Sequence, residues 1–181
     1  MSKTNERNGM FTTQIGILGM FAFVATAMAV GATENTLAGN YVLDRAKSGS
    51  VPAAVDTCVS HLNVFKRGIA RYRLEKTNVP PEKISISLKE SAIEITQGSD
   101  PVASCAKDGK PSHWTDRSGE TFQLTCQREG NRLVQIFKGE DGQSKNEYSL
   151  NADGTELWLK VMVSSPELPQ PLTYRLAYHR R

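Results

Sequence analysis

The histidines are the side chains best suited to metal binding or proton transfer, so their surroundings come first. His61, His113 and His179 lie far apart, and none stands at a metal-ligand spacing from another. Neither a Gly-x-Ser-x-Gly nor a His-Glu-x-x-His motif is present, and the acid pair Glu140 and Asp141 lies beside a turn glycine, where solvated carboxylates are usual. We therefore expect no catalytic residue, no metal site and no cofactor, and we predict that the chain is not an enzyme.

The three cysteines, Cys58, Cys105 and Cys126, leave an odd count. We predict a Cys105–Cys126 disulfide, which closes a loop of about twenty residues and contributes roughly 3 kcal/mol in the chain-entropy model. A strand at 112–116 between the two would hold them about 10 Å apart, too far for a bridge, unless the loose stretch 98–113 brings Cys105 over. Cys58 lies on an apolar helical stripe and is expected to be a buried thiol.

The positive charge of the chain is small, with a formal net charge of +3, and no clustered basic block argues for nucleic-acid binding. Basic side chains gather on one helical segment, at Lys66, Arg67, Arg71, Arg73 and Lys76. Three interpretations stay open: a solvated surface, an anionic head group bound by Arg67 and Arg71 one turn apart, or weak contact of helix 66–76 with anionic membrane lipid.

The N-terminal segment has the three-part pattern of an export signal. Polar residues 1–14 carry Lys3 and Arg7, an uncharged apolar run fills 15–32, and small residues end it. We predict a signal peptide over 1–32, cleaved after Ala32, and a mature domain over 33–181 in the periplasm or secreted from a bacterium. The alternative is that the run is retained as a membrane anchor.

Residues 51–77 have helical periodicity. Ser50 can cap the first turn, Pro52 suits its start, and Pro80-Pro81 prevents continuation. Gly68 interrupts the run, and a break into two helices is expected there. The apolar positions follow steps of three and four: Val55, Val59, Leu62, Phe65, Ile69 and Tyr72.

The remainder of the chain is a succession of short alternating segments separated by turn residues, the pattern of antiparallel β structure. We predict about ten strands, which tend to close on themselves because closure removes exposed edges. The predicted fold is mainly β, a single up-and-down antiparallel barrel with a helical lid at 51–77 between strands 1 and 2. The strand segments are 39–44, 84–88, 92–95, 101–106, 112–116, 120–128, 131–138, 143–150, 155–164 and 171–179.

This order of elements resembles the calycin group, and within it the fatty-acid-binding type of barrel, where a helical lid follows the first strand. Residues 37–44 are similar to the Gly-x-Trp opening of such barrels, with Tyr41 where Trp is usual. Residues 69–78 and 168–174 are similar to stretches of secreted bacterial proteins of unassigned function. The resemblance implies a lid over one mouth and a monomeric carrier of a small apolar or amphipathic ligand.

In barrels of this type, residues of the last strand bind the head group of the ligand. The fatty-acid-binding family binds its ligand's carboxylate with an Arg-x-Tyr there, and matching Tyr178 to that Tyr places Leu176 where the Arg should be. Arg175 lies on the other parity, so it cannot replace the guanidinium. Which parity faces inward stays open, as does a filled barrel that serves as an envelope interaction module without a ligand. The predicted ligand contacts are Phe65, Arg67, Arg71, Tyr174, Leu176 and Tyr178.

Overall fold

The computed structural model describes residues 36–181, and the predicted signal peptide over 1–32 lies outside them. Ten strands and two helices make up the described chain, with both helices between the first and second strands, as the sequence predicts. The elements are β1 Gly39–Asp44, α1 Val51–Val59, α2 Val64–Thr77, β2 Lys83–Leu88, β3 Ala92–Gln97, β4 Ala103–Ala106, β5 Ser112–Thr115, β6 Thr121–Glu129, β7 Arg132–Lys138, β8 Gln143–Leu150, β9 Glu156–Ser164 and β10 Leu172–Arg180.

The helical segment begins and ends where the sequence places it, but its break is elsewhere. Ser50 Oγ accepts a hydrogen bond from the Ala53 amide at 3.3 Å and caps α1. The break expected at Gly68 was wrong, because Asn63 Oδ1 accepts from the Lys66 amide at 2.9 Å and starts a new helix there. Such a side-chain cap fixes a helix start, whereas a single interior glycine costs only about 1 kcal/mol.

The ten strands form one antiparallel sheet in the order β4-β3-β2-β1-β10-β9-β8-β7-β6-β5. The first and last strands are neighbours, with Tyr41 opposite Arg180 and Asp44 opposite Ala177. This order makes a nearly closed barrel, in which only the step from β4 to β5 lacks a strand ladder among the described residues.

Side chains and a disulfide join the two sheet edges at that step. The Cys105–Cys126 bond is present, with 5.8 Å between the two Cα atoms. The obstacle expected from an intervening strand does not arise, because β5 is short and its first residue, Ser112, pairs with Leu124. Cys126 therefore lies beyond the start of β5 and faces β4 directly. Ser112 Oγ also donates to the Ser104 carbonyl at 3.0 Å.

The inward parity, left open by the sequence, is settled by burial. On β10 the inward set is Leu172, Tyr174, Leu176 and Tyr178, and on β9 it is the set that contains Leu157 and Leu159. Arg175 and His179 lie on the outer face of β10, as strand alternation requires.

The barrel interior is packed over most of its length. Inward side chains at its middle have no accessible surface, and a void that admitted water would leave some surface on its walls. We call this region the packed lumen, defined by Leu133, Tyr148, Leu157, Leu159 and Tyr178. Helix α1 belongs to the same core through Val51, Val55, Cys58 and Val59.

Candidate ligand-binding site

Three aromatic rings lie on the inward faces of β5, β6 and β7, near the end of the barrel from which the helices connect. The Trp114 ring centroid lies 5.9 Å from that of Phe122 and 4.9 Å from that of Phe137. All three side chains are half-buried, in contrast to the packed lumen. We call them the rim aromatics. They offer an apolar surface that a ligand could reach.

A chain of hydrogen bonds crosses the lumen next to the rim. Gln97 Nε2 on β3 donates to the Tyr148 hydroxyl on β8 at 2.5 Å, and that hydroxyl donates to Gln135 Oε1 on β7 at 3.0 Å. Burial raises the pKa of Tyr148, so its hydroxyl stays neutral and remains a donor. Asn146, directly opposite Gln135 on β8, is also buried. This layer is polar and uncharged.

One group of this polar layer is unpaired. Gln135 is 0% exposed, and its Nε2 has no hydrogen-bond partner. Leaving a buried donor unsatisfied costs roughly 1–3 kcal/mol, so such a group needs a physical explanation. Binding a ligand oxygen is one function that it could serve.

The three predicted contacts on β10 point inward, and the two tyrosines among them also hold the chain after α2. Tyr174 donates to Asn78 Oδ1 at 3.2 Å, and Tyr178 donates to the Pro81 carbonyl at 3.0 Å. Burial raises the pKa of both phenols. Leu176 lies between them at 1% exposure. Their contact with a ligand stays a prediction.

The three predicted contacts on the lid do not join that group. Phe65 is 89% exposed. Arg67 donates to the carbonyls of Ser60 and Leu62 at 2.8 and 2.9 Å, so its guanidinium is used at the turn between the helices. Arg71 forms an ion pair with Asp56 of α1. Their ligand contact also stays a prediction, and the new helix start at Asn63 explains why the apolar stripe of the sequence does not continue into the core.

Helix α2 instead presents an apolar face outward. We call Phe65, Ile69 and Tyr72 the outer face of α2; these are 89%, 60% and 66% exposed and follow one another at steps of four and three. Lys76 Nζ lies 6.0 Å from the Tyr72 ring centroid, and Lys66 and Arg73 are exposed beside the stripe. An apolar stripe beside cations is suited to an interface between water and lipid.

Depressions also lie on the outer wall of the barrel, away from the packed lumen. One of about 200 Å³ contains Trp158, over which the Arg175 guanidinium lies 3.8 Å from the ring centroid. Glu147 in its wall pairs with Lys145 at 2.6 Å and Arg132 at 2.8 Å, and these contacts lower the pKa of its carboxyl. The other, of about 360 Å³, lies along β1, β2 and β3. Across residues 36–181, His, Cys, Asp and Glu form no cluster that could hold a metal.

Sequence reasoning missed Gln97, Gln135 and Asn146. The signal that could have found Gln135 is its parity, because it lies between Leu133 and Phe137 on the apolar face of its strand. Within the described part of the chain, no helix is long and apolar enough to cross a membrane.

The fold is similar to solved structures of lipid-binding barrels. Apo lipid binding protein 8 of Caenorhabditis elegans matches with a TM-score of 0.55 and 10% identity, over 84% of this chain and 100% of that chain. A structure named REP1-NXSQ fatty acid transporter matches with a TM-score of 0.51 and 17% identity, over 80% and 96%. The fatty-acid-binding protein of Drosophila melanogaster brain tissue matches with a TM-score of 0.51 and 15% identity, over 77% and 95%.

The TM-scores show a shared fold, and at identities of 10–17% the likeness shows the fold alone. The sequence matches no protein-family model and no curated protein. The similarity to secreted bacterial proteins stays a prediction.

Proposed function

We propose that this protein is a non-catalytic binding protein for a small apolar or amphipathic ligand, held at the helix end of the barrel. One observation carries the proposal: the half-buried rim aromatics adjoin a neutral polar layer that contains an unpaired donor. A site with apolar walls and a few placed polar groups is the usual form of a small-molecule site. The similarity to barrels named for fatty acids and lipids supports it.

The site has limited room for the apolar part of the ligand. Leu133, Leu157 and Leu159 fill the middle of the barrel, so the apolar part of the ligand would lie at the rim, against the rim aromatics. This geometry favours a small or medium-length ligand over a long chain that extends through the whole barrel.

The proposal places the protein in a bacterial envelope, as a monomer, after export. The apolar run 15–32 has the pattern of a cleaved signal, and the Cys105–Cys126 bond suits an oxidising compartment. Cell fractionation and the intact mass of the isolated protein test this. We expect the intact mass of a chain that starts at Thr33, found in the periplasm or the medium. An uncleaved chain in the cytosol would contradict the proposed export.

The ligand is best sought in protein purified from its source. Native mass spectrometry should detect a bound small molecule, and solvent extraction should recover it. A fluorescent apolar probe should then bind the extracted protein and be displaced by the recovered molecule. Consistent absence of both bound and displaceable ligand would defeat the proposal.

Two neighbouring residues of β9 give a matched pair of variants. Val163→Trp adds an indole on the inward, half-buried side, whereas Met162→Trp adds the same group on the outer wall. Val163→Trp is expected to weaken probe binding at least tenfold because it occupies the site, and Met162→Trp is expected to leave it unchanged. Equal effects of the two would place the probe elsewhere.

A second candidate function follows from the exposed apolar face rather than from the lumen. Under this second function, the protein is an interaction module of the cell envelope, and its barrel is filled and holds no ligand. Its basic helix 66–76 lies on an anionic lipid surface. The three apolar side chains of the outer face of α2 would enter the interface, and nearby lysines and arginines would each contribute about 1 kcal/mol.

Sedimentation with vesicles tests this second function. Binding is expected to vesicles that contain phosphatidylglycerol, to fall with added salt and to be absent from pure phosphatidylcholine. Phe65→Ser should weaken it, while Val102→Ser, at another exposed apolar position, should not. Binding that ignores Phe65 or lipid charge would contradict it.

A further inference from the structure

The unpaired group of Gln135 is a donor rather than an acceptor. The Tyr148 hydroxyl accepts from Gln97 Nε2 and has one proton to give, which goes to Gln135 Oε1. The amide NH₂ of Gln135 is therefore left without a partner. An oxygen with a free lone pair is the atom that would satisfy it.

The walls around this donor carry no charge. On β6 to β9, the described inward positions from the rim to the packed lumen are apolar or neutral polar. Leu176, the inward residue of β10 between Tyr174 and Tyr178, is also apolar and 1% exposed. A buried carboxylate without a cationic partner is strongly unfavourable, so this part of the lumen discriminates against an ionised head group.

The inward cation of β10 is Arg180, and it lies at the other end of the strand. Three inward steps separate it from Tyr174, roughly 20 Å along an extended chain. Its guanidinium donates to the Thr36 carbonyl at 2.5 Å and to the Tyr41 hydroxyl at 2.9 Å, and its Nε is buried without a partner. Arg180 is thus remote from the rim, and a ligand whose apolar part lies at the rim could reach it only by extending through the packed lumen.

We propose that the ligand has an uncharged head group, with a hydroxyl or carbonyl oxygen that accepts a hydrogen bond from Gln135 Nε2. The proposal rests on the binding function proposed above and names its ligand class, a neutral amphipathic molecule rather than a fatty acid anion. The apolar part of the ligand lies against the rim aromatics, since Phe137 is the next inward residue after Gln135 on β7. Entry of the head group separates the side chains that now enclose Gln135.

Three probes of equal chain length test the ligand class: decane, 1-decanol and decanoate. Each competes with a fluorescent apolar probe on the full mature chain at pH 7.4. Decanol is expected to bind about tenfold more tightly than decane, the value of one added neutral hydrogen bond, and decanoate at least tenfold more weakly than decanol. Decanoate should bind more tightly as the pH falls through the pKa of its carboxyl, because the neutral acid enters.

Gln135→Leu tests the donor, with Leu133→Met on the same face of β7 as the control. Gln135→Leu should remove the advantage of decanol over decane and leave decane binding intact; Leu133→Met should keep the advantage. Thermal unfolding establishes that both variants fold, and the comparison on the natural chain stands by itself if one does not.

The outcomes separate the two proposals. Failure of all three probes to bind would overturn the binding function together with this inference. Binding of decanol with no advantage over decane, or an advantage that survives Gln135→Leu, would overturn the inference alone. Tighter binding of decanoate than of decanol would also overturn it and would point to Arg180.

Discussion

Apolar side chains are buried in the packed lumen but exposed on the outer face of helix α2. In the lumen, leucines and tyrosines at alternate strand positions have no accessible surface, whereas Phe65, Ile69 and Tyr72 of α2 face solvent. A strand must direct alternate side chains to one side, so register fixes their burial. A helix can rotate about its axis, so its apolar stripe faces the core only if the preceding turn sets the right phase. Apolar periodicity alone therefore indicates an amphipathic element without saying what covers it.

The largest expected difference between the two regions is in stability. Leu159→Ala should lower the free energy of unfolding by about 2–5 kcal/mol, because it leaves a cavity at a fully buried position. Ile69→Ala should change it by less than about 0.5 kcal/mol, as is usual for exposed positions. Urea unfolding measures both. Similar losses for the two would mean that the outer face of α2 is covered in solution.

The second-largest expected effect on stability is that of the disulfide that links β4 to β6. Replacing both Cys105 and Cys126 by Ser should lower the free energy of unfolding by roughly 3 kcal/mol, since the unfolded chain regains its loop entropy. The same variant should leave the exposure of α2 unchanged. Urea unfolding with and without reductant checks this, and the natural chain in reductant should approach the variant. A loss below about 1 kcal/mol would show that noncovalent contacts such as the Ser112–Ser104 hydrogen bond hold this edge.

The buried phenols distinguish the lumen from α2 at high pH. Burial raises the folded-state pKa of Tyr148, Tyr174 and Tyr178 above the unfolded value of 10.0. Their contribution is complete below pH 10, and the free energy of unfolding should fall above it, because the unfolded chain releases these protons first. Each group contributes about 1.4 kcal/mol per pH unit.

Tyr174→Phe should make the decline above pH 10 shallower, because it removes one of the groups whose pKa burial raises. Unfolding curves between pH 8 and 11 measure this. Equal slopes for this variant and the natural chain would contradict the burial of Tyr174 in solution.

The smallest expected effect lies within α2 itself. Gly68→Ala should stabilise the protein by about 0.5–1 kcal/mol, because a Cβ there meets nothing within 4 Å and alanine favours the helix. Gly130→Ala, at φ +58° in the turn between β6 and β7, should destabilise it instead. Thermal unfolding compares the two. No effect of Gly68→Ala would indicate that α2 unfolds before the barrel.

The success of the strand prediction has a local cause. Alternation, turn glycines and the cap at Ser50 are short-range signals, and they place the strands and the limits of the helical segment within a few residues. Asn63 and Gly68 are both residues at which the sequence could divide the helical segment. Only the cap geometry in the structure shows that the division is at Asn63. The sequence predicts ligand contact for Arg67 from its position one turn before Arg71, and that spacing carries no sign of the turn carbonyls that Arg67 binds.

The polar layer was beyond sequence reasoning for a different reason. Gln97 and Tyr148 are far apart in the chain and meet only because β3 and β8 lie on opposite walls of the nearly closed barrel. Alternation places Gln135 on an apolar face. Whether its amide nitrogen finds a hydrogen-bond partner depends on which side chains from other strands reach it. Contacts of this kind come from tertiary packing and leave no mark on spacing.

The pairing of β1 with β10 has a consequence for how the chain matures. These two strands sit side by side in the middle of the sheet order, although nearly the whole described chain lies between them. During synthesis β1 has no partner on that side until β10 emerges, and contacts between distant segments are slow to form. The nascent chain thus stays open until its closing strand is made, and one edge of β1 is without a strand partner until then.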